Sequence, residues 1–182
     1  MGDRDKLLET IKGEPILART ARIACKADLG PVLVALRPKD KARRKALRKQ
    51  DVTVIEVPDA DEGMSASLRH GAKAAIELIM AHTEEDYEYS GMMVMLPDMP
   101  NITAEDLKTM DMAFQANGGP CVRAKSEGGK PGHPNIFPIN ILWEFDNLSG
   151  DRGAAEMFDG ERVVTLELPG DRAQLDLDTP ED

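Results

Sequence analysis

The sequence is poor in cysteine and in long apolar runs. Its two cysteines, Cys25 and Cys121, lie in unrelated contexts and belong to no CxxC or Cys/His cluster. A zinc site and a disulfide framework are therefore both poorly supported, and a reducing compartment, the cytoplasm, is the expected location. No apolar stretch approaches the roughly 20 residues of a membrane span. The charged N-terminus, MGDRDK, lacks the apolar core of a signal peptide.

Positive charge is scarce as well. The 182 residues carry 33 Asp and Glu against 23 Lys and Arg. Because nucleic acids and anionic membranes are bound through basic surfaces, neither is expected as a partner. An anionic ligand would need a local counter-charge, and a divalent metal ion usually supplies it. The length predicts a single domain, residues 1–182, with one sizeable core.

What the chain does contain is an alternation of strand-like and helix-like segments. Short apolar or β-branched runs predict strands at 31–36, 52–57, 91–96, 120–125 and 163–168. Helices are predicted at 13–28, 39–50, 64–82 and 103–116, the last with a capping box formed by Thr103 and Asp106. Residues 126–135 read as a Gly/Pro-rich loop. The alternation indicates an α/β sandwich with a largely parallel sheet.

Four unusual motifs each follow a predicted strand. They are EGMSAS after 52–57, PDMP after 91–96, GGKPGHP after 120–125 and LDLDTPED after 163–168. In open parallel α/β sheets, ligands bind beyond the carboxyl ends of the strands. The coincidence of four such motifs predicts a ligand site at that edge of the sheet.

Three aspartates in these motifs are candidate ligands of a metal ion. Asp98 lies between Pro97 and Pro100, so its backbone has little freedom. It either binds a ligand or simply leads into the following helix. Asp176 and Asp178 alternate along the chain, so in an extended segment both carboxylates point to one side. Such a pair favours a bound cation, and the other interpretation is an exposed edge in which Asp178 caps a short helix.

The remaining polar candidates also allow two interpretations. Ser65 and Ser67 lie at a helix N-terminus whose free N–H groups suit an anion, or they act as ordinary N-caps. Arg69 follows within a turn and could face solvent. Asp151 marks another predicted helix start, where capping is the alternative. His133 lies in the Gly/Pro loop, although a lone histidine is more often structural than catalytic. The three histidines lack metal-ligand spacing, and no GxSxG or HExxH motif indicates a hydrolase.

Six segments, taken together and in order, resemble a known family. They are DKLLETIKGEPILART, EGMSASLRHG, MLPDMPNIT, GKPGHPNIF, LSGDRGA and DLDTPED. The family is the nucleotidyltransferases typified by molybdenum cofactor cytidylyltransferase and guanylyltransferase, and the resemblance covers essentially the whole chain. It implies a Rossmann-like, GT-A-like nucleotidyltransferase fold, a three-layer sandwich with a mostly parallel sheet.

The resemblance also implies a reaction. GMSAS, PDMP and GHP are closer to the cytidylyl branch, in which CTP gives up CMP to the terminal phosphate of molybdopterin or molybdenum cofactor and pyrophosphate leaves. Magnesium is the implied metal ion, and a molybdoenzyme is an implied downstream partner. Such a step needs in-line positioning and charge neutralisation rather than covalent help from the protein. The choice between CTP and GTP is not fixed by these motifs.

Residue roles follow from the resemblance, position by position. Asp98 resembles the metal-binding acid after the strand, and Asp176 and Asp178 resemble the polar pair that completes the metal site. Lys6 resembles the lysine that steadies the triphosphate. The other implied contacts are Gly63, Ser65 and Ser67 for the nucleotide, and Gly132, His133, Pro134 and Asp151 for the acceptor.

One element of the family pattern is absent from the sequence. Family members begin with a strand and a glycine-rich loop of the form L-A-A-G-x-S-x-R-M-G, whereas this chain begins MGDRDKLL. A first strand near the middle of the sheet would leave two strand edges exposed when it is lost. Either the working protein is longer by about 15–20 residues, or it is a degenerate member that cannot hold an NTP. For the 182 residues alone, weak or absent NTP turnover is expected.

Two other functions remain open. A non-catalytic accessory protein that holds molybdenum cofactor would keep the acceptor-side GHP motif without needing Asp98 or the C-terminal acids. A related NTP transferase with another phosphorylated acceptor would share the metal site and differ in the acceptor pocket.

Overall fold

The structure is a computed structural model that describes residues 5–81, 90–151 and 153–174. Its strands are β1 (Thr10–Ile11), β2 (Glu14–Pro15), β3 (Leu33–Leu36), β4 (Thr53–Glu56), β5 (Gly91–Val94), β6 (Cys121–Lys125), β7 (Pro131–Pro138) and β8 (Val163–Glu167). The α-helices are α1 (Ile16–Ala27), α2 (Lys41–Leu47), α3 (Met64–Ala81), α4 (Ala104–Ala116) and α5 (Ile139–Leu142). Short 3₁₀ helices span Lys6–Leu8, Ala60–Glu62, Trp143–Asn147 and Ala154–Phe158. Within these ranges, no helix combines the length and apolar content needed to cross a membrane.

The larger sheet has the strand order β5-β7-β6-β8. β6 and β8 are parallel, and β7 runs antiparallel to both of its neighbours, so three of the four strands share one direction. The predicted α/β class with a mostly parallel sheet is confirmed. The loop prediction for 126–135 was wrong in part, since residues 131–135 belong to β7. There β7 pairs with β6, and the His133 N–H donates to the Ala173 carbonyl, contacts that local Gly and Pro preferences do not reveal.

A second, parallel pair of strands lies apart from this sheet. β3 pairs with β4 from Leu33↔Thr53 to Leu36↔Glu56. Among the described residues, β3 has no other strand partner, and β5 pairs with β7 alone. Helix α3 packs against β3, β4 and β5, so one helix covers parts of both sheets.

Apolar side chains on opposite faces of the larger sheet pack against different helices. Val122 and Ile136 belong to a cluster that includes α4 and the C-terminal half of α1. Their chain neighbours Cys121 and Phe137 belong to another cluster with α3. Because successive strand residues point to opposite faces, helices cover both sides of the sheet. This is the predicted three-layer arrangement.

Helix α4 starts at the predicted capping box. The Asp106 N–H donates to Thr103 Oγ1 at 3.2 Å, and the Thr103 N–H donates to Asp106 Oδ2 at 2.9 Å. Both bonds satisfy N–H groups that a helix start would otherwise leave unpaired. The cap fixes the residue at which α4 begins after the turn that carries Asp98.

Candidate active site

Two side chains of α1 hold the turn that follows β5. The Thr20 hydroxyl donates to the Pro97 carbonyl at 2.7 Å. The Arg19 guanidinium donates two hydrogen bonds, of 3.3 and 3.2 Å, to the Pro100 carbonyl. Both carbonyls flank Asp98, whose backbone is already restricted by the neighbouring prolines. The backbone of the turn that carries Asp98 is therefore held by a helix that lies far away in the sequence.

Asp98 meets Lys6, the other predicted catalytic residue. Lys6 Nζ lies 2.8 Å from Asp98 Oδ2, and the Asp98 side chain is only 14% exposed. The second carboxylate oxygen, Oδ1, is buried and accepts no hydrogen bond from the part of the chain that the structure describes. Leaving a buried acceptor unpaired is costly. The carboxylate therefore has one oxygen paired with a cation and one suited to a further positive ligand.

Lys6 is positioned by the residue before it. Asp5 caps the 3₁₀ helix Lys6–Leu8 by accepting from the Leu7 N–H at 3.1 Å. Arg43 of α2 donates to both oxygens of the same carboxylate, at 2.8 and 3.1 Å. The Arg43 guanidinium holds the pKa of Asp5 below its usual range. Asp5 thus remains charged at neutral pH and anchors the segment that brings Lys6 to Asp98.

Asp98 fits the role of a metal ligand. Its buried, unpaired Oδ1 is a hard oxygen of the type that Mg²⁺ and Mn²⁺ prefer. Among residues 5–81, 90–151 and 153–174, no three His, Cys, Asp or Glu side chains group closely enough to hold a metal ion. The predicted partner acids, Asp176 and Asp178, lie outside these ranges, so their role stays a prediction.

The start of α3 packs directly on the segment that carries Asp151. A Cβ on Gly63 would lie 2.5 Å from Asp151 Oδ1 and 2.6 Å from the Gly150 carbonyl oxygen. The φ of Gly63, +106°, also favours glycine. The Ser65 N–H donates to the Gly150 carbonyl at 3.2 Å, so it is not one of the free donors that the sequence predicts. Gly63 and Ser65 are brought beside Asp151, whereas Ser67 is half-buried two residues further along α3.

Arg69 joins these two segments and does not face solvent. Its side chain is 19% exposed, and Nη1 donates to the Leu148 carbonyl at 2.9 Å. Nη2 donates to Asp59 at 2.8 Å and to Glu62 at 2.7 Å. The Arg69 guanidinium holds the pKa of Asp59 below its usual range. The sequence offers one signal for this role of Arg69. Arg69 lies four residues after Ser65, and residues four apart on a helix share one face.

We expect Arg69→Met to loosen both segments that the guanidinium joins. Loss of the hydrogen bonds to Leu148 and Asp59 should speed amide hydrogen exchange in residues 59–66 and 147–151 about fivefold to tenfold. Exchange measured by mass spectrometry should remain unchanged in β6 and β7. Arg44→Met, which removes an exposed pair with Glu56, is the matched control. Unchanged exchange at 147–151 in Arg69→Met would contradict the prediction.

Three of the predicted acceptor residues, Gly132, His133 and Pro134, lie in β7 beside a cavity of about 380 Å³, whereas Asp151 lies beside Gly63 and is not part of the cavity lining. Gly132 and His133 line it together with Leu96, Met99, Pro131 and the Ala173–Gln174 segment. Pro134 is fully buried behind them. Burial lowers the pKa of His133, the nearby Arg123 charge lowers it further, and Asp98 opposes both effects. His133 is therefore a neutral imidazole at pH 7.

Comparison with known proteins identifies the class of this chain. A family model described as the MobA-like NTP transferase domain matches residues 1–166. The chain belongs to the MobA-like NTP transferase family. This confirms the resemblance seen in the sequence.

Solved structures similar to this MobA-like domain share its fold. The manganese complex of Rv0371C from Mycobacterium tuberculosis H37Rv has a TM-score of 0.65 and 23% identity, covering 93% of this chain and 84% of that one. A nucleotidyl transferase from Methanothermobacter thermautotroptrophicus, Mth528, has a TM-score of 0.64 and 19% identity, covering 89% and 74%. CMP:2-keto-3-deoxy-manno-octonic acid synthetase complexed with CTP has a TM-score of 0.66 and 13% identity, covering 99% and 90%. No curated protein matches the MobA-like domain.

Proposed function

We propose that the protein is a magnesium-dependent cytidylyltransferase that transfers CMP from CTP to the terminal phosphate of molybdopterin or molybdenum cofactor. The observation that carries the proposal is the Lys6–Asp98 pair, 2.8 Å apart, with an unpaired buried carboxylate oxygen at Asp98. Membership of an NTP transferase family supplies the reaction type. The choice of CTP rests on GMSAS, PDMP and GHP in the sequence and agrees with the CTP bound by one structural neighbour.

Asp98 and Lys6 act on the triphosphate. Asp98, with Asp176 and Asp178, would hold the magnesium ion, which when bound neutralises charge on the phosphates. An ammonium group carries three N–H donors, so Lys6 can donate one hydrogen bond to Asp98 and another to a phosphate oxygen. The predicted nucleotide contacts, Gly63, Ser65 and Ser67, would line the base and ribose.

The acceptor approaches from the cavity beside β7. An oxygen of its phosphate attacks the α-phosphorus of CTP, and the bond from that phosphorus to the bridging β-phosphate oxygen breaks, so pyrophosphate leaves. Gly132, His133 and Pro134 would line the acceptor, and Asp151 is the fourth contact that the sequence predicts. Because His133 is neutral, it can hydrogen-bond to the acceptor without contributing a positive charge of its own. The protein's part is to align the two phosphates, which is where catalysis of phosphoryl transfer chiefly lies.

A nucleotide panel tests this proposal. CTP, GTP, ATP and UTP are each supplied with Mg²⁺ and molybdopterin, and pyrophosphate release is measured. The 182-residue chain and a chain extended upstream by a strand and a glycine-rich loop are compared. We expect release with CTP, strong in the extended chain and weak or absent in the shorter one. Release with GTP in place of CTP would overturn the cytidylyl assignment, and tight cofactor binding without any turnover in the extended chain would favour an accessory protein.

A further inference from the structure

Arg123 is a half-buried arginine in the middle of β6. It pairs with Asn135 of β7 in the antiparallel register, and Asn135 is 1% exposed. The Arg123 guanidinium carbon lies 4.9 Å from the centroid of the Phe158 ring. An arginine stacked on an aromatic face has its guanidinium plane fixed in orientation. The side chain is thus held in place by packing rather than by a counter-ion.

The hydrogen bonding of Arg123 is incomplete. Its Nε is buried and, within the described residues, donates to no acceptor. The other partly buried arginines differ, because Arg43 and Arg69 donate to carboxylates and Arg19 to a carbonyl. A guanidinium is charged at any physiological pH, and a buried donor is costly to leave unpaired. The chain has 33 Asp and Glu, yet within the described ranges none of their carboxylates forms an ion pair with Arg123.

Arg123 lies close to the β7 residues of the predicted acceptor site. Its partner in the sheet, Asn135, is two residues along β7 from His133, which lines the cavity. Its guanidinium contacts Phe158 of the 3₁₀ helix Ala154–Phe158. The Lys6–Asp98 pair, assigned above to the triphosphate, is a separate positive and metal-binding element. Arg123 is therefore a second positive charge, separate from that pair and close to the predicted acceptor residues of β7.

We propose that Arg123 binds the anionic group of the acceptor, a phosphate monoester, and orients it for attack. This inference rests on the proposed function and names the residue that would bind the charged group of the acceptor. The fork of N–H donors on a guanidinium matches two oxygens of a phosphate. Its charge also offsets the repulsion between the acceptor phosphate and the incoming triphosphate, in a chain with a net charge of −10.

Nuclear magnetic resonance of the arginine Nε–Hε groups tests the site without requiring turnover. The probes are methyl phosphate, as a simple phosphate monoester, and Mg·CTP, each titrated into the ¹⁵N-labelled wild-type chain. Methyl phosphate should shift the Arg123 resonance in a saturable way, whereas Mg·CTP should leave it unchanged. An Arg123 resonance that ignores methyl phosphate overturns the proposal. A response to Mg·CTP alone also overturns it, because the residue would then belong to the nucleotide site.

Two substitutions and one control complete the test. Arg123→Met should weaken methyl phosphate binding about tenfold or more. Arg123→Lys keeps the charge but loses the fork of donors, so its affinity for methyl phosphate should lie between those of the wild type and Arg123→Met. Arg22→Met is the matched control, since Arg22 makes two 2.9 Å hydrogen bonds to Glu14 on the surface. Equal affinity in wild type and Arg123→Met overturns the proposal. Failure of the nucleotide panel would instead count against the proposed function, because the phosphate titration needs no nucleotide.

Discussion

Asp98→Asn should reduce metal-dependent pyrophosphate release by at least about 100-fold. The substitution keeps the shape of the side chain and removes the charge that pairs with Lys6 at 2.8 Å. It also replaces one carboxylate oxygen with an N–H₂ group, which cannot bind a cation. The affinity for Mn²⁺, measured by electron paramagnetic resonance, should fall in parallel, so the effect can be followed in a chain with little turnover.

The control for this substitution is Asp28→Asn. Asp28 is an exposed aspartate at the end of α1 with a φ of +56°, a conformation that asparagine also accepts. The Asp28→Asn substitution should leave both Mn²⁺ affinity and pyrophosphate release unchanged. If Asp98→Asn bound Mn²⁺ as tightly as the wild type, Asp98 would not be a metal ligand and the mechanism proposed above would fail.

Gly132→Ala should destabilise the protein by about 3 kcal/mol or more. A Cβ at this position would lie 1.8 Å from the carbonyl oxygen of Ala173, which is backbone and cannot rotate away. The same carbonyl accepts the His133 N–H at 2.9 Å, so the clash also weakens a hydrogen bond that ties β7 to the C-terminal segment. Urea unfolding followed by circular dichroism measures the loss.

A second glycine provides the opposite expectation for comparison. Gly71 lies inside α3, and a Cβ there would meet nothing within 4 Å. Gly71→Ala should therefore stabilise the protein by about 0.5–1 kcal/mol, since alanine loses less backbone entropy in a helix. A Gly132→Ala protein as stable as the wild type would mean that residues 132 and 173 are not in close contact.

Much of the local architecture was predictable from the sequence. β3, β4, β5, β6 and β8 fall within the predicted strands, and α1, α2, α3 and α4 fall at the predicted helices. These predictions succeed because strand and helix periods are properties of short segments. The Thr103–Asp106 cap was predictable for the same reason, since its two partners are three residues apart.

β7 shows where local patterns were insufficient. Its residues include Pro131, Gly132 and Pro134, and each of them favours a loop when considered alone. The strand forms because β6 pairs with β7 from Pro131 to Ile136 and β5 pairs with it from Asn135 to Pro138, which is a property of the assembled sheet. The residues predicted to line the acceptor pocket were consequently placed in a loop, whereas they lie on a rigid strand.

The sequence by itself determined the α/β alternation, the acid after β5 and the membership of a nucleotidyltransferase family. Only the tertiary structure decided which charges meet: Lys6 pairs with Asp98, Arg69 joins the Ser65 and Leu148 segments, and Arg123 stacks on Phe158 with its Nε unpaired. The physical reason is range. Periodicity, caps and turns depend on residues a few positions apart, whereas the partner of a charged side chain depends on how helices and strands from distant parts of the chain pack together.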